Sequence, residues 1–244
     1  QAGKPVVVHF LGASAHAVST PLVAATSLRH AGDLAVALAR GEAARAPAVE
    51  PAATDLARID ERCAAMAPTQ RAVRALFTGG TFCYEAQLAF NARGLPCKSN
   101  APTHDSLPFD GRYDGHVFLD LGDDDYTRGR PHPMIDPSVR DALVRAQGDD
   151  AQVGAILFDV VLGYGSHDDP AGSLAAALRD AQARSRAQGC TLLAIGHVCG
   201  TDDDPQDKAA QVRALQDAGA IIVGSNIEAA LLAAHGAARR AAKR

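Results

Sequence analysis

The sequence predicts an α/β protein: a three-layer fold in which a parallel sheet lies between two layers of helices, with a short α/β segment ahead of it. Two observations carry that prediction. Apolar runs such as Ile156-Leu157-Phe158 and Val117-Phe118-Leu119 are continuous rather than alternating, the pattern of strands covered on both faces. From residue 73 onward each run is followed by a turn, usually glycine-containing, and then by a helical stretch; a strand–turn–helix repeat calls for parallel strands joined by crossovers. Right-handed crossovers place every strand-to-helix turn on one edge of the sheet, where open α/β sheets receive ligands.

The first strand is expected over 6–10, where Val6-Val7-Val8-His9-Phe10 reads as a buried run. A helix is expected over 21–39, with Thr20 as N-cap, Pro21 at the first helical position and Gly41 as the stop. Residues 43–53, rich in Ala and Pro, read as a linker, and a second helix over 54–66 closes before Pro68. The chain begins at Gln1, without Met, and enters a strand almost at once, which fits a fragment or a processed product.

The repeat then starts with a strand over 73–77, the turn Thr78-Gly79-Gly80-Thr81 and a helix to about Arg93. A strand over 116–121 leads into an irregular stretch through Pro137 and a helix ending near Gly148. The most apolar strand, 154–161, turns at Gly163-Tyr164-Gly165-Ser166 into a helix over 170–188. A strand over 191–197 precedes Cys199-Gly200-Thr201 and a helix over 206–217; the last strand, 220–224, is followed by Ser225-Asn226 as the cap of a final helix. The expected division is an N-terminal remnant at 1–68, a main domain at 73–235 and a basic tail at 236–244.

Composition narrows the function classes. A net charge of −4 provides no global positive field for nucleic acid or an anionic membrane. The cluster Arg239, Arg240, Lys243, Arg244 reads as a solvated helix end that complements the helix dipole. Five scattered cysteines without a CxxC pair argue against a disulfide framework or a structural zinc site, and reduced thiols suit a cytoplasmic protein. No apolar run approaches the roughly 20 residues that cross a bilayer.

Three turns can bring backbone N–H groups close to an anion at a helix N-terminus: Gly79-Gly80-Thr81, Gly163-Tyr164-Gly165-Ser166 and Gly200-Thr201. Each is also simply a tight turn. The most unusual stretch is 119–137, which leaves a strand with Asp120, Asp123, Asp124 and Asp125 and then presents Arg128, Arg130 and His132 among prolines. Arg128 and Arg130 can clamp a phosphate or carboxylate. Asp123 and Asp124 offer oxygen ligands for Mg²⁺. His132, held between Pro131 and Pro133, is a candidate general acid or base, or a transient phosphoryl acceptor. A solvated acidic loop pairing with its own arginines is the plainer alternative. Asp159 and Asp120 sit in apolar strands, where a carboxylate needs a partner; capping a neighbouring turn and positioning His132 or a substrate both remain open. Glu85 falls near the same edge. Neither a GxGxxG nor a GxxxxGK[ST] loop is present.

At these residues the chain resembles the FdrA family. The resemblance rests on Leu76-Phe77-Thr78-Gly79-Gly80-Thr81-Phe82-Cys83-Tyr84-Glu85-Ala86, on Asp120-Leu121-Gly122-Asp123-Asp124 leading to Gly129-Arg130-Pro131-His132-Pro133-Met134-Ile135-Asp136, and on Leu157-Phe158-Asp159-Val160-Val161-Leu162-Gly163-Tyr164-Gly165. His197-Val198-Cys199-Gly200-Thr201 and Ser225-Asn226 extend it to about residues 75–230. FdrA proteins are similar to succinyl-CoA synthetase, so the resemblance implies a flavodoxin-like ligase-type domain. It also implies acyl-CoA ligation driven by a nucleoside triphosphate through a phosphohistidine, with Mg²⁺, CoA and ATP as cofactors and a CoA-binding domain or subunit as partner. These residues contain no Gly-His-Ala-Gly phosphohistidine motif, and the loop at 200–206 holds no histidine. His132 is the candidate substitute, and a partner domain is expected to complete the cycle.

The same resemblance carries a second implication, a subunit of an oxamate-type carbamoyltransferase in purine (allantoin) catabolism. A non-catalytic assembly module is the third reading. In each the chain is expected in a homo- or hetero-oligomer; in the first two it binds a small-molecule substrate. Phosphate or substrate contacts fall to Gly79, Gly80, Thr81, Gly163, Gly165, Ser166, Gly200, Thr201 and Asn226, and chemistry to His132, Arg130 and Arg128.

Overall fold

The computed structural model describes residues 3–13, 22–45 and 48–242. It forms two compact units, Gln1–Glu50 and Pro51–Arg244. In the first, β1 (Val6–Val8) pairs in parallel with β2 (Leu22–Ala24), Val6 opposite Leu22. Helix α1 (Leu28–Ala39) follows, with Ser27 as its N-cap: the Ser27 hydroxyl accepts the His30 N–H at 3.1 Å. The helix expected over 21–39 is therefore shorter, and its start is a strand. Leu22-Val23 is an apolar pair with a β-branched member, which favours extended backbone, and the capping hydroxyl is that of Ser27, seven residues beyond the expected Thr20. Thr20 and Pro21 lie outside the described residues. Strand β1 is half-buried rather than buried, with Val6 40% exposed.

The second unit begins with α2 (Ala53–Ala64), which the larger body claims as its own. Then come β3 (Ala72–Phe77), α3 (Gly80–Asn91), β4 (Cys97–Ser99), β5 (Leu107–Pro108), β6 (His116–Asp120), α4 (Asp124–Thr127), α5 (Ser138–Gln147), β7 (Val153–Val161), α6 (Pro170–Ala187), β8 (Leu193–Cys199), α7 (Lys208–Asp217), β9 (Ile221–Val223) and α8 (Asn226–Ala242). The sheet has seven strands, all parallel, in the order β5-β4-β6-β3-β7-β8-β9. Strands β4 and β5 escape the apolar-run criterion because they are two or three residues long and polar or Pro-containing.

Helices α2, α3 and α8 cover one face and α5, α6 and α7 the other. Alternation within each buried strand supplies both cores. Ala75, Phe77, Leu157 and Ile195 belong to the first; Leu76, Ile156, Phe158 and Val198 belong to the second. Each fully buried Leu, Ile or Phe contributes about 1.5–3 kcal/mol, so this pair of cores fixes the sheet. The connection leaving β3 runs over one face through α3, and the one leaving β7 runs over the other through α6. The strand order therefore reverses at β3–β7, and the two departing loops open a crevice at the carboxyl ends of these strands.

Within the basic C-terminal cluster, Arg239 is exposed but Arg240 is not solvated. Helix α8 continues through it, and Arg240, only 6% exposed, donates to the carbonyls of Cys63, Ala67 and Gln70. Its guanidinium caps the end of α2 and the turn that follows. Lys243 and Arg244 lie outside the described residues.

Candidate functional site

All strand-to-helix turns of the sheet emerge at its carboxyl edge because every strand is parallel. The turn after β3 is the centre of that edge. Gly79 is the N-cap of α3 and no side chain caps the helix, so its first N–H groups are left open. By contrast, the helices after β7, β8 and β9 are closed by their own side chains: Asp169 accepts the Gly172 N–H, Asp207 the Ala210 N–H, and Ser225 the Glu228 N–H. Ser225 and Glu228 form a reciprocal cap, the hydroxyl donating to the Glu228 carboxylate at 2.7 Å.

Asp159, fully buried on β7, anchors this turn. One oxygen accepts the Thr78 N–H at 2.8 Å and the other accepts the Thr78 hydroxyl. Burial raises the carboxyl pKa above its usual value, while the two Thr78 bonds and the Arg140 charge oppose that rise. Asp120, at the end of β6, stands on the other side of the turn. Its carboxylate accepts the Gly122 N–H at 2.9 Å, and burial raises its pKa as well. A methyl group on Gly80 would lie 2.8 Å from Asp120 Oδ2; glycine lets backbone and carboxylate meet there.

His132 comes to the same place. A methyl group on Gly122 would lie 2.6 Å from His132 Nε2, 2.9 Å from the Thr78 carbonyl oxygen and 3.2 Å from Asp120 Oδ1. One small space thus brings together the imidazole, the β6 carboxylate and the turn that opens α3. The Met134 N–H donates to His132 Nδ1 at 3.2 Å, so the neutral ring carries its proton on Nε2, the nitrogen facing that space. The segment is also tied to the β7 turn, where the His167 N–H donates to the Met134 carbonyl at 2.7 Å.

Other expected site residues are arranged less uniformly. Gly163 and Gly165 have positive φ of 131° and 85°, and the Gln206 amide holds Gly163 at both its N–H and its carbonyl. The Ser166 hydroxyl is buried without a partner. The turn at Gly200-Thr201 is filled from within: Asp204 accepts the Thr201 N–H at 2.6 Å, and Lys208 donates to the Gly200 carbonyl. Arg128 and Arg130 are exposed and make no side-chain hydrogen bond or ion pair among the described residues. Asp123 caps α4 by accepting the Asp125 N–H, and Asp124 is exposed. Among the described residues no group of three or more His, Cys, Asp and Glu side chains is placed to hold a metal ion, so Asp123 and Asp124 would need phosphate oxygens or water to complete a Mg²⁺ shell. Asn226 is buried on α8, donating to the Phe82 carbonyl and to Glu85.

Sequence reasoning missed three supports. Asn100 exchanges two hydrogen bonds with the Asp120 backbone, both at 2.9 Å. Arg140, 1% exposed, donates to the carbonyls of Asp159 and Pro170 and pairs with Asp141. Thr78 is the residue through which Asp159 acts. Only Arg140 left a legible signal, as a charge beside the apolar positions of an amphipathic helix.

The family model described as CoA-ligase matches residues 76–235, from the end of β3 into α8. The chain belongs to the CoA-ligase family. The family match covers the open helix start, the His132 segment and both strand aspartates, Asp120 and Asp159, and it is to this succinyl-CoA synthetase-like ligase fold that the seven parallel strands correspond. An uncharacterized protein of Escherichia coli (strain K12), YahF, is 39% identical over 172 residues, 70% of this chain and 33% of that protein. The chain thus spans about a third of that relative's length. No helix among the described residues is long and apolar enough to cross a membrane.

Proposed function

We propose that this CoA-ligase domain is the phosphate-handling part of an FdrA-type acyl-CoA ligase, receiving an acyl-phosphate or phosphoryl group at the start of α3. The observation that carries the proposal is the uncapped glycine N-terminus of α3 with the His132 imidazole beside it. Open N–H groups at a positive helix end suit an anion. Arg128 and Arg130 are unpaired cations on the neighbouring segment and neutralise charge as it develops.

ATP would supply the phosphoryl group and CoA the acceptor thiol, each with a partner domain or subunit. The chain's own residues orient and donate hydrogen bonds. Asp159 holds Thr78, so the turn keeps its N–H groups directed at the incoming anion. With its proton on Nε2, His132 donates a hydrogen bond to an oxygen bound in the shared space, beside the Asp120 carboxylate. A nucleophilic Nε2 requires the other neutral tautomer, with the proton on Nδ1 and the Met134 N–H contact given up.

The test combines turnover and labelling. The protein is incubated with ATP, Mg²⁺, CoA and a panel of short carboxylates, alone and with a separately expressed CoA-binding domain. Acyl-CoA formation that disappears in His132→Ala supports the reading, and acid-labile, base-stable phosphate on the protein assigns the phosphoryl-carrier role. Wild-type rates in His132→Ala remove His132 from the mechanism. Release of carbamoyl phosphate without CoA would instead select the carbamoyltransferase reading.

A further inference from the structure

The amino edge of the sheet, opposite the turns described above, holds a cavity of about 220 Å³. A single water needs only about 10–15 Å³, so the space admits several ligand atoms. It lies where β3 and β6 begin and α8 ends: Ala72 and His116 line it from the strands, Ala237 and Ala241 from the helix. Arg71, Gln152 and Ala241, which also border it, are exposed, so the cavity opens to solvent. Strand β3 separates Ala72 from Thr78 by about 20 Å at roughly 3.3 Å per residue. A ligand here therefore does not share the space beside α3.

The lining carries hydrogen-bond donors and one cation, but no carboxylate. The Val73 N–H donates to His116 Nδ1 at 3.1 Å, which fixes the proton of the neutral ring on Nε2. Burial and the Arg74 charge hold the His116 pKa down at about 4, so the ring is neutral at pH 7. Phe90 meets the same ring edge-on, with centroids 5.4 Å apart, and the two contacts set its orientation. His116 Nε2 has no partner among the described residues and is not sealed from water. Its N–H is the donor that His116 offers the cavity. Arg71 engages only its Nε, on the Pro68 carbonyl at 3.1 Å; its two terminal nitrogens make no hydrogen bond or ion pair among the described residues. The neighbouring Arg74 is already paired with Asp150.

An unpaired guanidinium beside a neutral N–H donor suits an oxyanion. One cation balances one negative charge, and a divalent phosphate finds no second. The methyl groups of Ala237 and Ala241 suit an apolar body. Partial negative charge at the carboxyl end of α8 keeps the ligand's own charge at the Arg71 end.

We infer that this cavity binds a short-chain monocarboxylate, its carboxylate on Arg71 and the His116 Nε2–H and its apolar chain along Ala237 and Ala241. The site lies at the far ends of the strands that carry Thr78 and Asp120, and it stands independently of the function proposed above.

Butyrate and butyramide, alike in shape and different in charge, test it by NMR on the whole chain. Butyrate should move the Gly115 amide and the His116 ¹⁵Nε2 resonance and bind about tenfold more tightly than butyramide. Arg71→Leu should abolish that preference. Ala241→Leu, which keeps a good helix former while filling the cavity, should weaken both ligands. Both positions are exposed, so the unliganded variants should unfold at the wild-type temperature; the comparison of the two ligands on the native chain decides even if one variant does not fold. No shift at Gly115 and His116, equal affinities for the two ligands, or a preference that survives Arg71→Leu overturns the inference. Inorganic phosphate is titrated in parallel, and competition equal to that of butyrate overturns the assignment to a monocarboxylate. Butyrate shifts confined to the Gly80 and Thr81 amides place the carboxylate at the opposite edge and refute the cavity.

Discussion

Asp159 and Thr78 lie 81 positions apart in the chain, yet both the N–H and the hydroxyl of Thr78 end on the Asp159 carboxylate. The register that sets Leu76 beside Phe158 brings them level at the ends of β3 and β7. Two donors on one buried carboxylate tie the turn before α3 to the central strand. Removing the carboxylate in Asp159→Ala leaves both donors buried without a partner. Urea unfolding should register a loss of about 2–4 kcal/mol. Asp159→Asn keeps one acceptor and should lose roughly half as much.

Gly79 and Gly80 should respond differently to the same substitution. Nothing lies within 4 Å of a methyl at Gly79, whose φ of −165° any residue adopts. Gly79→Ala should therefore stay within about 0.5 kcal/mol of wild type in thermal unfolding. Gly80→Ala meets Asp120 Oδ2 at 2.8 Å. It should cost about 1–2 kcal/mol and weaken phosphate binding, read by isothermal titration.

Arg140→Met removes the cation that holds the carbonyls of Asp159 and Pro170 and leaves Asp141, 4% exposed, with only its Ser173 bond. Breaking a buried pair from one side costs about 3–5 kcal/mol. The urea midpoint should fall accordingly. Arg140→Met combined with Asp141→Leu should recover much of the loss, since no charge then stays buried alone.

Arg128→Ala and Arg130→Ala touch exposed, unpaired side chains. Both should leave the urea midpoint unchanged. Each should weaken phosphate binding at low salt, with the difference shrinking as ionic strength rises; equal affinity at every salt concentration would separate these arginines from the anion.

The pH dependence of stability has a definite sign. Burial depresses His116 and His197 from 6.5 to about 4. Between those values the unfolded chain binds protons that the folded chain refuses, so stability is full above 6.5 and declines as pH falls toward 4. The upper bound is roughly 3 kcal/mol per histidine. His116→Asn keeps an acceptor for the Val73 N–H and should flatten part of that slope in urea titrations across the window.

The sheet was legible because β3, β6, β7 and β8 each carry an unbroken apolar run, and that pattern depends on burial at both faces. The His132 segment was legible as a candidate because two prolines flank a histidine; its approach to Gly122 is set by tertiary packing that no local pattern encodes. The first turn of the expected 21–39 helix failed because an apolar triplet suits a strand or a helix equally until a partner strand is known. Arg240 failed for a related reason. A basic residue near a chain end looks solvated until the carbonyls at 63, 67 and 70 are seen around it.

That clasp has a mechanical meaning. Arg240 stitches the final helix of the larger unit onto the residues that follow its opening helix, so the two extremities of the unit are held in a single grip. Neither can fray alone: peeling either one back strips three carbonyls of their shared donor and uncovers Cys63 and Met66. Pulled from its termini, such a body should resist as a closed loop and yield in one step rather than unravelling helix by helix.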